Sequence, residues 1–128
     1  MNFIQFETAQ KLRGGFYTDC DIAAFLTRWV GVRRPQRVLE PSCWDGAFVG
    51  ALQKRAWTRL NTIVACEINP EEAAKARART GAADVEVHEG DFLRWFLLHA
   101  GRVEAFDAAV GNPPFIRYQY LPEEQQVL

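Results

Sequence analysis

The stretch Phe106-Asp107-Ala108-Ala109-Val110-Gly111-Asn112-Pro113-Pro114-Phe115 runs from an apolar segment straight into a turn that no central strand can cross. Proline has no N–H for a strand ladder, so a strand over 106–110 stops here and the chain leaves at its C-terminal end. Open α/β sheets keep their ligand crevices at that end. Proline at 113 biases Asn112 towards an extended backbone, and two fixed φ angles stiffen the loop. Taken alone, Asn-Pro-Pro after a strand is first a stiff turn. It is also a frame for a pocket in which backbone carbonyls and the Asn112 amide converge beside the Phe115 ring. That pocket suits a flat ring with an exocyclic amine, and the neighbouring elements decide between the two readings.

Working back from this loop, the chain alternates. Thr18 with Asp21 resembles a capping box, and Ile22, Ala23, Leu26, Trp29 and Val30 recur at helical spacing, which predicts a helix near 19–30 ended by Gly31. Residues 37–40 read as a short strand ended by Pro41, and 47–56 as a helix carrying Phe48, Val49 and Leu52. Thr62-Ile63-Val64-Ala65-Cys66 is the best buried-strand candidate. Asn69 as cap, Pro70 at the first helical position and acidic Glu71 and Glu72 open a helix that Gly81 closes. Residues 85–88 alternate as a third strand, 93–98 read as a short helix, and 106–110 form the fourth strand. A helix followed by β-α-β-α-β-α-β predicts an α/β, doubly wound parallel sheet.

Composition narrows the class. The 128 residues, 48% hydrophobic and 24% charged, describe one globular domain able to bury roughly two-thirds of its unfolded surface. A net charge of −1 gives no overall field for polyanions, so any phosphate contact comes from a local patch. Cys20, Cys43 and Cys66 are odd in number and lack metal-ligand spacing, which argues against structural zinc or a disulfide framework and for a reduced, cytoplasmic setting. No apolar run approaches membrane-spanning length. His88 and His99 read as ordinary strand and surface histidines, Cys43 as a packing residue, and Arg33, Arg34 and Arg37 as a solvated face.

Three acids stand just past the ends of three predicted strands: Glu40, Glu67 and Asp91. In a doubly wound sheet such positions converge on one crevice. Glu67 is placed to accept from both hydroxyls of a ribose, and Asp91 from an adenine amine while Phe92 stacks on the purine. The turn Pro41-Ser42-Cys43-Trp44-Asp45-Gly46 lacks a phosphate-binding glycine pattern, and Glu40 and Asp45 would repel a pyrophosphate. A ligand bearing a cation and no phosphate fits better, and S-adenosylmethionine is such a ligand, unlike NAD or ATP.

With these residues in place, the chain resembles the class I DNA methyltransferases that methylate adenine at N6 in restriction–modification systems. The likeness covers nearly all of the sequence and keeps motif order. Arg13-Gly14-Gly15-Phe16-Tyr17-Thr18 resembles the N-terminal motif that closes over the methionine end of the cofactor. Val38-Leu39-Glu40-Pro41-Ser42-Cys43-Trp44-Asp45-Gly46-Ala47-Phe48 resembles the first cofactor loop, Glu67-Ile68 the ribose motif, Gly90-Asp91-Phe92 the adenine motif, and Asn112-Pro113-Pro114-Phe115 the catalytic motif. The catalytic motif is shared with methyltransferases of glutamine side chains, and the N-terminal element favours DNA.

The resemblance implies a Rossmann-like fold of which this chain holds the first four strands, a flipped adenine in DNA as substrate, and direct transfer assisted by Asn112, Pro113, Pro114 and Phe115. It assigns Tyr17, Thr18, Glu40, Asp45, Glu67, Ile68, Asp91 and Phe92 to S-adenosylmethionine, with no metal and no membrane. Two positions depart from the pattern. Trp44 stands where the family has glycine, so its indole either crowds the methionine site or swings outward, and Asp19 replaces a proline. The sequence reads as a single, truncated domain without a target-recognition domain, expected to need a second chain for transfer. An open fourth-strand edge is expected to leave Phe106, Ala108 and Val110 partly uncovered. Arg117-Tyr118-Gln119-Tyr120 is a candidate DNA contact. The rival readings are a glutamine-side-chain or RNA methyltransferase, and a non-catalytic fragment or one part of a split enzyme.

Overall fold

The computed structural model describes residues 17–54, 59–81, 84–102 and 104–114. Phe115 and residues 13–16 and 117–120 therefore lie outside the described residues. Tyr17–Asn112 form one compact unit, and Pro113 and Pro114 belong to another. In chain order the elements are α1 (Cys20–Gly31), β1 (Arg37–Glu40), α2 (Ala47–Lys54), β2 (Thr62–Glu67), α3 (Pro70–Thr80), β3 (Val85–Glu89), α4 (Phe92–His99) and β4 (Ala108–Ala109).

The four strands form one parallel sheet in the order β3-β2-β1-β4. This is the expected doubly wound arrangement, with the crossover placing β1 at the centre. Central strands covered on both faces read as continuous apolar runs, and β2 is buried from Ile63 to Glu67. Val38, Ile63 and Ala65 pack with Val49, Leu52 and Ala76 in the core, with Val85 and Val87 against them. Side chains alternate across a strand, so His88 faces the other side. There its ring meets Trp95 of α4 at 5.3 Å.

The helix signals hold best where they are chemical. Asn69 accepts from the N–H groups of Glu71 and Glu72, Pro70 opens α3, and Gly81 ends it at φ +50. At α1 the cap is Asp19, not Thr18: the Asp19 carboxylate accepts from Asp21 N at 2.8 Å. The buried ladder of α1 is Ala23, Leu26, Thr27 and Val30, whereas Ile22 and Trp29 are exposed. Helix α4 begins at Phe92 and buries no residue.

The fourth strand is shorter than expected. Only Ala108–Ala109 form ladder pairs, with Val38 and Leu39 of β1, although Asp107 N and Val110 N extend the hydrogen bonding to Arg37 O and Leu39 O. The Asp107 carboxylate turns back to accept from Gln36 N and Arg37 N, which ends the regular ladder at 107. Val110 is buried in the core rather than partly uncovered. Most of the large exposed apolar side chains lie instead on α1 and α4, Trp29 and Leu97 among them.

Gly46 allows α2 and α3 to meet. It lies at φ +85, and a Cβ built on it would stand 3.0 Å from the Ala76 backbone. The left-handed backbone and the close approach both exclude a side chain. Gly46→Ala should therefore destabilise the protein by about 1–3 kcal/mol, read as a lower urea midpoint with an unchanged slope.

Candidate functional site

Glu40 and Glu67 end adjacent strands. Glu40 is completely buried, and neither of its carboxylate oxygens has a hydrogen-bond partner. A Cβ at Gly111 would run into Glu40 Oε1, so glycine is what lets the segment after β4 lie directly on this carboxylate. Burial, with the nearby Glu67 charge as a smaller contribution, pushes the Glu40 carboxyl well above the ordinary carboxylate range.

Glu67 is also buried but differs in chemistry. Its Oε2 accepts from Trp44 N and its Oε1 from Asn69 N, each at 2.8 Å. One carboxylate thus binds the loop after β1 to the loop after β2. Each oxygen keeps a further lone pair for a ligand hydroxyl.

The loop after β1 is drawn inward by the backbone bond from Cys43 N to Cys66 O at 2.8 Å. Cys43 is a buried core residue, as its packing reading required, and burial next to Glu40 and Glu67 pushes its thiol far up, away from nucleophile chemistry. Trp44 adopts φ +49, a left-handed conformation that costs a bulky residue about 1–2 kcal/mol. Its indole does not swing free: it meets the Tyr17 ring edge-on at 6.4 Å, and its Nε1 is buried without an acceptor. Asp45 Oδ2 pairs with Arg79 Nη2 at 2.8 Å, while Oδ1 is buried and unpaired.

Tyr17 and Thr18 brace the site from the N-terminal side. The Tyr17 hydroxyl donates to Glu72 Oε1 at 2.7 Å, and Lys75 Nζ donates to the same oxygen at 3.0 Å and to the Tyr17 hydroxyl at 3.2 Å. Thr18 Oγ1, freed from capping, accepts from Asn112 Nδ2 at 3.4 Å. That contact turns the amide so that Asn112 Oδ1 is left without a partner among the described residues.

The remaining assigned residues are less closely drawn in. Ile68 is 64% exposed, and Phe92 is half-buried against Trp95 and Phe96. Asp91 is the cap of α4, accepting from Arg94 N at 2.9 Å. Pro113 and Pro114 are exposed. Glu72 and Lys75 escaped the sequence reading because acids and bases in a first helical turn look like solvated charges. Their spacing of three residues, which suits an ion pair on one helix face, was the signal available.

The unpaired buried atoms in this part of the fold are Glu40 Oε1 and Oε2, Ser42 Oγ, Trp44 Nε1, Asp45 Oδ1 and Glu72 Oε2. Acceptors predominate, and four of them belong to carboxyl groups. Buried polar atoms seek partners, so this set fits a cation with several donors better than any phosphate.

No family model matches the chain. It is 32% identical over 102 residues to Type II methyltransferase M.CvrRI of Paramecium bursaria Chlorella virus XZ-6E, a match taking in 80% of this chain and 24% of that protein. The chain thus spans about a quarter of the curated relative it matches. The cofactor-bound crystal structure of Rv0187 from MTB aligns with a TM-score of 0.63 at 28% identity, over 75% of this chain and 44% of that one. The O-methyltransferase from Bacillus cereus, solved in complex with SAH, aligns with a TM-score of 0.67 at 22% identity, over 85% of this chain and 51% of that one. With the parallel sheet and the order of its elements, these likenesses show that the chain carries part of a Rossmann-like methyltransferase fold.

Proposed function

We propose that the crevice at the ends of β1 and β2 binds S-adenosylmethionine and that the chain serves in transfer of its methyl group to the N6 amine of adenine in DNA. The observation that carries this reading is the buried carboxylate pair Glu40 and Glu67, with unused acceptor atoms beneath Gly111 and next in chain to Asn112. Glu67 suits ribose hydroxyls and Glu40 an ammonium group. Asp91 and Phe92, after β3, take the adenine end, and Tyr17, Thr18, Asp45 and Ile68 complete the cofactor set. Likeness to a Type II methyltransferase supports DNA as the substrate.

When bound, the cofactor supplies an electrophilic methyl group. Adenine N6 is a poor nucleophile because its lone pair is delocalised into the ring. Asn112 Oδ1 and the Pro113 carbonyl accept from the amine, draw it towards tetrahedral geometry and stabilise positive charge developing on nitrogen, which is electrostatic preorganisation. The cofactor held by Glu40 and Glu67 would supply the methyl group to the nitrogen lone pair and keep the C–S electron pair, and a proton would leave nitrogen to solvent. An amide accepts but does not remove protons, so Asn112 suits an amine rather than a hydroxyl that must first be deprotonated. A paired adenine is out of reach within a duplex and must be flipped, at a cost of roughly a few kcal/mol; stacking on the flipped base is the role that the resemblance gives to Phe115.

Calorimetry with S-adenosylhomocysteine tests the cofactor site directly. Glu67→Ala should bind at least about tenfold more weakly than the wild type, and equal affinity would remove Glu67 from the site. In an assembly containing this chain that methylates DNA, Asn112→Ala should lower transfer by roughly 10²–10³-fold while cofactor affinity stays within twofold. Full methylation by that variant rejects its role.

Glu40 gives a stability test with a definite sign. Its carboxyl is pushed up in the folded state, so ionisation costs folding stability increasingly as pH rises above the ordinary carboxylate range, and nothing below it. Glu40→Gln should therefore raise the thermal midpoint at pH 8 by roughly 5 °C, give no gain at pH 4, and bind S-adenosylhomocysteine more weakly. Thermal scans across that range, with and without ligand, read all three.

A further inference from the structure

The three arginines that follow α1 in the sequence do not form one solvated face. Arg37 turns aside: its Nη1 pairs with Glu104 at 3.8 Å, and its guanidinium lies 5.3 Å from the centroid of the Phe106 ring. Arg33 and Arg34 remain, and Arg59, from the segment before β2, joins them. With Pro35, Gln36 and Asp107 they line an open cavity of about 350 Å³. All strands of a parallel sheet begin at the same edge, and this cavity sits at the starts of β1, β2 and β4. It therefore lies across the sheet from the strand ends that carry Glu40 and Glu67.

Gln36 ties the floor of the cavity together. Its carbonyl accepts from Asn61 N at 2.8 Å and from Thr62 N at 3.1 Å, and its N–H donates to Asp107 Oδ2 at 2.6 Å. Three segments far apart in sequence thus meet at one residue. The backbone N–H groups of Arg37 and Gln36 hold the Asp107 carboxyl below the ordinary carboxylate range, and the Arg59 and Arg37 guanidiniums add to this. Arg34 adopts a left-handed backbone at φ +47, uncommon for a residue with a side chain, and its N–H donates to Gly31 O at 3.0 Å.

Around this floor, the guanidinium groups of Arg33, Arg34 and Arg59 have no hydrogen bond or ion pair among the described residues. Three such cations against the single Asp107 carboxylate leave the cavity a net charge of +2. Guanidinium forks match phosphate oxygens in geometry as well as in charge. A terminal phosphate offers three non-bridging oxygens and up to two negative charges, whereas a phosphodiester offers two oxygens and one charge. We propose that the cavity lined by Arg33, Arg34 and Arg59 binds a phosphate dianion, free or as the end group of a phosphate monoester. This site is separate from the proposed cofactor crevice and does not depend on it.

Calorimetry at pH 8 with inorganic phosphate, and with dimethyl phosphate as the diester, tests the assignment. Inorganic phosphate should bind saturably and about tenfold more tightly than dimethyl phosphate. Arg34→Gln and Arg59→Gln, both at exposed positions, should each weaken phosphate binding about tenfold and leave the urea midpoint unchanged. Arg94→Gln, which removes an exposed arginine of α4, should bind phosphate as the wild type does. A wild type without saturable phosphate binding overturns the proposal, and so does an equal loss in all three variants, which would report overall charge. Equal affinity for dimethyl phosphate, or displacement of phosphate by a short DNA duplex, replaces the dianion with a nucleic-acid backbone and rejects it. Displacement by S-adenosylhomocysteine would put the anion in the cofactor crevice and reject it as well.

Discussion

One buried carboxylate sets the positions of most groups at the site. Glu67 ends the most deeply buried strand and binds Trp44 N with one oxygen and Asn69 N with the other. Asn69 caps α3, α3 carries Glu72 and Lys75, these two hold Tyr17, and the adjacent Thr18 meets the Asn112 amide. The path from the end of β2 to the loop after β4 therefore runs through charge-assisted bonds for most of its length. Such bonds are shorter and stronger than neutral ones, and here they join segments far apart in sequence.

The frame around that carboxylate was legible where the sequence carries local chemistry. Asn69-Pro70 and Gly81 bracket α3 because a cap, a fixed φ and a left-handed terminus are each properties of single residues. The burial of 62–66 follows from an unbroken apolar run, and the acids at 40 and 67 follow from the strand ends. What sequence did not reveal depends on distant partners. Thr18 and Asp19 are equally good caps by type, and only the approach of Asn112 decides that Thr18 turns away. Residues 106–110 look like a strand by hydropathy, but Asp107 finds Gln36 N and Arg37 N some seventy positions earlier and ends the ladder.

The site itself was half legible. That Glu40 and Glu67 end neighbouring strands could be read from the apolar runs before them, but not that Glu40 is sealed under Gly111 with both oxygens bare. Sequence left the Trp44 indole either crowding the methionine site or swinging outward, and could not show that it meets the Tyr17 ring edge-on with its Nε1 buried. Glu72 looked like one of two dipole-facing acids at a helix start. Glu71 is that, being exposed, whereas Glu72 is buried at the same helix end because Tyr17 reaches it.

Under the proposed cofactor reading, the sealed carboxyl of Glu40 links ligand uptake to solvent protons. Burial, and to a smaller extent the neighbouring Glu67 charge, raise the Glu40 carboxyl and favour its protonated form over that of an exposed carboxyl. A cation seated against it favours the ionised form, so binding of such a ligand is linked to release of a proton. The heat of binding then includes the ionisation heat of whatever buffer takes up the proton, and the same affinity will register with different enthalpies in phosphate and in Tris.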